Sequence, residues 1–140
     1  MGAELKLNLG VFDVPEWNGT PLHDVANILE SKYGLFSKFA EDQHDVIANE
    51  LALSVQGAIT NLLVGGPSVD PFLEACSAID ARFQFFIDTS RVEALGIPGV
   101  PTGAALKGVN HRLKKARGAR RPSFRDTGIL RANFVSWVDE

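Results

Sequence analysis

The stretch Asp70-Pro71-Phe72-Leu73-Glu74-Ala75-Cys76-Ser77-Ala78-Ile79-Asp80-Ala81-Arg82-Phe83-Gln84-Phe85-Phe86 decides the architecture of this chain. Asp70 followed by Pro71 is a helix start: a side-chain oxygen to take a free amide, then a residue whose fixed φ and missing N–H cost nothing in a first turn. Phe72, Cys76, Ile79, Phe83 and Phe86 then recur at spacings of four and three, the period of a helix with one apolar face. The spacing predicts a helix over 70–88 with an aromatic stripe turned to a core. Cys76 lies on that stripe, which makes it a small core residue rather than a nucleophile.

Working outward, a second helix is expected over 42–64, with Ile47, Leu51, Val55, Ala58, Ile59 and Leu62 on one face. Asp42 and Asp45 suit its N-terminal dipole, and Gly65-Gly66-Pro67 stops it. Before it, Thr20 ahead of Pro21 caps a helix over 22–32 with Leu22, Val25, Ala26 and Leu29 inward, ending near Tyr33-Gly34. After the aromatic helix, Gly96-Ile97-Pro98-Gly99-Val100-Pro101 reads as an extended loop. Thr102 then caps a helix over 102–115 with Ala105, Leu106, Val109 and Leu113 inward.

Both ends of the chain have strand character. Leu5, Leu7, Leu9 and Val11 alternate with Lys6, Asn8 and Gly10, a period of two that predicts a half-buried strand over 4–12. Residues 133–138 set Phe134, Ser136 and Val138 opposite Val135 and Trp137, a second strand free to pair with the first. The expected fold is therefore α+β: one mainly helical domain over 1–140, with a small sheet formed by terminal strands and with extended assembly loops. No internal repeat and no second domain is expected.

Composition narrows the function. A chain of 140 residues, 45% hydrophobic, can bury a core without disulfides or a structural metal. Its single cysteine excludes an intramolecular disulfide framework, and with three scattered histidines it leaves no four-ligand zinc set. No continuous run of about 18 apolar residues is present, so no membrane span is expected. The opening MGAELKLNLG lacks the basic and apolar regions of a secretion signal, and Lys6 stands where myristoylation needs Ser or Thr. A reducing compartment is the expected setting.

The net charge of −3 conceals an asymmetry. Residues 1–106 hold 14 acids and 5 bases, whereas residues 107–140 hold 9 bases and 3 acids. Eight bases fall between Lys107 and Arg125 with no acid among them. Such a division serves either a basic arm that neutralises phosphates or a head-to-tail contact between copies of one chain, in which the acidic front (Asp42, Asp45, Glu50, Glu74, Asp80) meets the next copy's basic segment. Phe124 is the sole aromatic in that run, which serves single-strand stacking poorly.

Catalytic constellations are sparse. Asp126-Thr127-Gly128 matches the tripeptide of retroviral-type aspartic proteases, whose chemistry needs two carboxylates sharing a proton in a shielded dyad. The flanks differ, with Arg125 in place of an apolar residue and Ile129 in place of Ala or Ser. The simpler reading is a turn, with Asp126 accepting backbone N–H groups and Gly128 supplying a special backbone angle. His23, His44 and His111 are dispersed, and no serine sits in a nucleophile elbow. No catalytic residue, cofactor or metal is expected.

The segment Arg121-Pro122-Ser123-Phe124-Arg125-Asp126-Thr127-Gly128-Ile129-Leu130-Arg131-Ala132-Asn133-Phe134 resembles the carboxy-terminal motif of tailed-bacteriophage neck and tail-completion proteins of the minor-tail or virion-morphogenesis kind. Arg121, Pro122, Phe124, Asp126, Thr127, Gly128, Leu130 and Arg131 are the matching positions, and Asn133 departs from the usual Ser. Pro101 to Arg112 also looks like small phage virion proteins; the resemblance spans about residues 97–138. It implies a non-enzymatic structural protein of the virion, assembled in the bacterial host cytoplasm as a homo-oligomeric ring. Its implied place is a head–tail connector or tail terminator, beside other neck, portal-adaptor or tail proteins and in possible contact with packaged DNA. The residues expected to carry assembly are Arg117, Arg120 and Arg121, the turn Asp126-Thr127-Gly128, and the apolar Phe124, Ile129, Phe134 and Trp137. A nucleic-acid-binding protein using residues 107–125 is the alternative.

Overall fold

The alternating residues at the two ends of the chain build a single ladder, and the helices between them fill one side of it. The computed structural model describes residues 5–12, 14, 21–68, 70–107, 123–124 and 129–139. In chain order the elements are β1 (Lys6–Val11), α1 (Leu22–Tyr33), α2 (Leu35–Asp42), α3 (His44–Leu63), α4 (Leu73–Asp88), a 3-10 turn (Arg91–Leu95), α5 (Gly103–Lys107), α6 (Ile129–Ala132) and β2 (Phe134–Asp139). The chain is α+β, mainly helical, and its two terminal strands pair antiparallel with Leu9 opposite Ser136 and Val11 opposite Phe134.

Alternation sorts the sheet's two faces as the sequence predicts. Phe134 and Ser136 are buried, Leu7, Leu9 and Val11 pack against the core, and Trp137 is exposed on the other side. The core beneath is aromatic. Phe134 of β2 stacks on Phe83 of α4 with ring centroids 3.9 Å apart, and Phe36 and Phe39 of α2 join them together with Phe86. Such pairs add roughly 0.5–1.5 kcal/mol each beyond area burial. The predicted stripe on α4 is real: Ile79, Phe83 and Phe86 are buried, with Ala75 and Ile87 added. Cys76, expected in the core, is half-buried, and burial pushes its thiol pKa up. Asp70 takes the Phe72 amide at 2.9 Å, so it organises the turn before α4 rather than the first helical turn itself.

Helix α2 is absent from the sequence reading, which passes from one helix to the next across 34–42. Gly34 ends α1 in the left-handed conformation (φ 64°) and starts α2 from the same residue. The α2 amides are capped from a distance: the Glu30 carboxylate accepts the Phe36 amide at 2.7 Å and the Ser37 amide at 3.3 Å. Those are two of the amides a helix start leaves unpaired.

Helix α3 departs from expectation in a second way. The predicted inward face fades along the helix: Ile47 is buried, Leu51 packs on the core and Val55 and Ala58 are half-buried, but Ile59 and Leu62 are more than half exposed. The reason is length. Ser54 donates to the Pro71 carbonyl (2.7 Å) and accepts from the Ala75 amide (3.4 Å), so the middle of α3 meets the start of α4. The remainder of the 20-residue α3 overhangs. By length and composition alone α3 also meets the measure of a helix that could cross a bilayer, with mean hydropathy 1.2 over an 18-residue window. Asn49, Glu50, Ser54, Gln56, Thr60 and Asn61 interrupt its apolar residues, so the continuous run is short while the average stays apolar.

Helix α5 begins as expected, with Thr102 Oγ1 accepting the Ala105 amide at 3.1 Å. Ala105 is buried, but Leu106, expected inward, is 47% exposed. Thr20 and residues 108–115 of the predicted helix, including Val109 and Leu113, lie outside the described residues.

Phe83→Ala removes the ring common to the α2, α4 and β2 contacts and is expected to cost about 3–5 kcal/mol in urea unfolding. Glu30→Ala, which uncaps α2, is expected to cost about 0.5–2 kcal/mol.

Candidate assembly surfaces

Residues of the carboxy-terminal motif take their positions from hydrogen bonds to distant parts of the chain. Ser123 is fully buried, and its amide and hydroxyl both donate to Glu93 Oε1, at 3.2 and 2.9 Å. Its hydroxyl oxygen accepts the Thr102 amide at 3.1 Å. A buried hydroxyl used once as donor and once as acceptor is fully satisfied, which is what burial of a polar group demands. The 20 residues between Thr102 and Ser123 therefore begin and end at one point of the fold, and most of the basic segment falls within them.

Phe124 follows in the left-handed region (φ 69°), a costly conformation for an aromatic residue. Its ring is buried and meets Tyr33 edge-on, centroids 5.1 Å apart. Further on, Leu130 is buried and Arg131 donates to Asp88 of α4 at 2.7 Å. The motif's Leu and Arg thus fix α6 on α4.

The fold spends the apolar residues expected to contact a neighbour in different ways. Phe124 and Phe134 are interior, so their side chains pack the chain's own core instead of presenting a contact. Ile129 packs partly on the core, and Trp137 is 44% exposed. Arg117, Arg120, Arg121, Asp126, Thr127 and Gly128 lie outside the described residues.

The acidic front divides as well. Asp42 is engaged within the chain: Arg91 donates to both its carboxylate oxygens, at 2.7 and 3.0 Å, and holds its pKa below the usual value. Asp80 accepts the Ser136 amide at 2.8 Å and the Ser136 hydroxyl at 2.7 Å, pinning β2 to α4. Burial outweighs those bonds and pushes its pKa up. Asp45 and Glu74 are exposed and Glu50 is half-buried.

A further open surface is one the charge pattern does not reveal. No charged residue stands between Glu50 and Asp70. Over that interval Leu53, Ile59 and Leu62 are each more than half exposed, Leu63 is 81% exposed and Val64 78%. Ala52, Gln56, Ile59 and Thr60 border an open hollow of 540 Å³ walled by α3 alone. The overhang of α3 past α4 is the signal that was missed, and it depends on where α4 starts. Among the described residues no cluster of His, Cys, Asp and Glu is arranged to hold a metal. No family model, curated protein or solved structure matches this chain.

Two outcomes follow. Ser123→Ala removes the acceptor of the half-buried Thr102 amide and the donor to Glu93, and is expected to cost about 1–3 kcal/mol in chemical unfolding. The two aspartates give opposite pH dependences. Asp42 titrates lower in the folded chain, so its contribution is present above pH 3.8 and is lost as pH falls through its folded pKa. Asp80 titrates higher when folded, so its contribution is present in acid and is lost as pH rises from 3.8 through its raised pKa. Asp80→Asn keeps an oxygen for Ser136, and its stability relative to the parent is expected to be better at pH 7 than at pH 3.

Proposed function

We propose that this chain is a non-enzymatic structural protein of a bacteriophage virion, working as one copy in a homo-oligomeric ring of the neck or tail-completion kind. The observation that carries the assembly part of this reading is the uncovered half of α3. A chain that works alone scatters its exposed apolar residues; here five large ones share one charge-free stretch. Complete burial of a Leu or Val is worth about 1.5–3 kcal/mol, so covering these residues by neighbours outweighs most exposed ion pairs, at about 0–1 kcal/mol each. The virion part rests on the likeness of residues 97–138 to phage neck and tail-completion proteins.

In this reading each part of the chain has a physical task. The uncovered end of α3 supplies affinity. The basic segment, anchored at Thr102 and Ser123, supplies register and steering toward acidic groups of the next copy, with Asp45 and Glu74 exposed for it. Closed repetition of one such contact makes a ring. Neighbouring neck, portal-adaptor or tail proteins then stack on the ring, and the particle is completed in the host cytoplasm.

Nucleic-acid binding is the second reading, favoured by the eight bases without an acid between Lys107 and Arg125. Replacing Arg117, Arg120 and Arg121 together by Gln separates the two. Under the assembly reading, particles carrying the variant fail to join head to tail, and the isolated protein's DNA affinity is negligible before and after. Under the DNA reading, particles join normally but lose packaged DNA, and the slope of log K against log salt falls by roughly 0.9 per charge removed.

A further inference from the structure

The sheet has two strands and therefore two outer edges, and the hydrogen-bond pattern distinguishes them. Opposed residues of an antiparallel ladder alternate between pairs that exchange hydrogen bonds and pairs whose N–H and C=O groups point away. Two contacts fix the phase here. The Ser136 amide donates to Asp80, so the Leu9–Ser136 pair points away. The Phe12 amide donates to the Asn133 carbonyl, so the even-numbered residues of this strand face β2. Asn8 and Gly10 consequently carry the ladder, and Leu7, Leu9 and Val11 direct their backbone groups outward.

The two edges are treated differently. On β2, Asp80 of α4 takes the outward amide of Ser136. On β1, the outward amides of Leu7, Leu9 and Val11 have no backbone partner outside the ladder among the described residues. The usual guards of a bare edge are missing too: residues 6–11 contain no proline, and Lys6, at the strand's end, is their one charge. A groove of 390 Å³ runs beside Leu9, Gly10 and Val11, walled by Ala26, Asn27 and Glu30 of α1. Trp137 borders the same groove, because Gly10 lets its indole lie across β1; a β-carbon at position 10 would stand 3.2 Å from Cζ3 and Cη2 of that ring.

We infer that the β1 edge is an interaction surface for an extended strand, and that its occupant is β1 of a second copy, giving a four-stranded antiparallel sheet across a two-fold axis. The occupant follows from register. With the axis at Leu9, the outward groups of Leu9 meet those of the partner's Leu9, and Leu7 meets the partner's Val11. Every outward N–H of one edge then faces an outward C=O of the other, a match that a second copy supplies without further design. The apolar side chains of both strands continue on one face, and the lone charges, Lys6 and its counterpart, lie at opposite ends of the joint. This two-fold contact differs from the head-to-tail contact proposed above and does not depend on it.

Residue-resolved amide exchange on the full chain, with sedimentation run on the same samples, tests it. Over a hundredfold rise in concentration through the association midpoint, protection of the Leu7, Leu9 and Val11 amides is expected to rise at least tenfold, while Asn8 and Gly10 are protected throughout. Leu9→Pro removes one outward donor and no ladder bond, and is expected to abolish the change while leaving Asn8 and Gly10 protected. A chain that associates while Leu7, Leu9 and Val11 keep their dilute exchange rates overturns the inference and leaves the ring reading intact. A chain that stays monomeric to millimolar concentration overturns both. The double variant Ile59→Glu, Leu63→Glu should spare the β1 effect; losing it would show that the protection comes from α3 packing and overturn the edge contact.

Discussion

The stacking of Phe134 on Phe83, 3.9 Å between ring centroids, is the contact on which the rest of this structure depends. It fastens the last strand to the central helix, and through that strand it fastens the first. Phe39 and Phe86 close around the pair, so α2 is held by the same cluster. A 140-residue chain has little interior to spare, and five of its nine phenylalanines are committed to this one. That commitment explains why Phe134 serves the core. It also explains why the sheet, only two strands wide, is stable: a lone pair of strands is marginal in water unless it packs on a helix.

Much of the fold was legible because periodicity was unambiguous where burial was greatest. The four-and-three spacing of Ile79, Phe83 and Phe86 and the alternation of Leu7, Leu9 and Val11 each pointed to one face, and each face is inward. Helix α2 was not legible because Gly34 reads as an end, and in fact it is a joint shared by two helices. Its cap, Glu30, sits six positions before the amide it binds, outside any local capping pattern. The overhang of α3 was hidden for another reason: its own apolar pattern is complete, and the shortage is in the partner helix that should cover it.

The candidate surfaces were legible in part. Charge segregation at Lys107 is a property of sequence alone. What the sequence could not display was how that segment is held. The Ser123–Glu93 pair spans 30 positions and the Ser136–Asp80 pair spans 56, and nothing in local pattern links such residues. These contacts recast the motif. Ser123, Phe124, Leu130 and Arg131 are internal fastenings, and a run of exposed apolar residues lies elsewhere, at the end of α3.

The central claim is that one copy of this chain is an incomplete object, finished by others of its kind. Native mass spectrometry of the full-length protein in detergent-free buffer tests that most directly. A closed ring predicts one dominant mass at a fixed integer multiple of the 15.2 kDa chain, unchanged on dilution above the dissociation range. A single 15.2 kDa species at every concentration, with the protein instead recovered on lipid vesicles or on DNA, would contradict it.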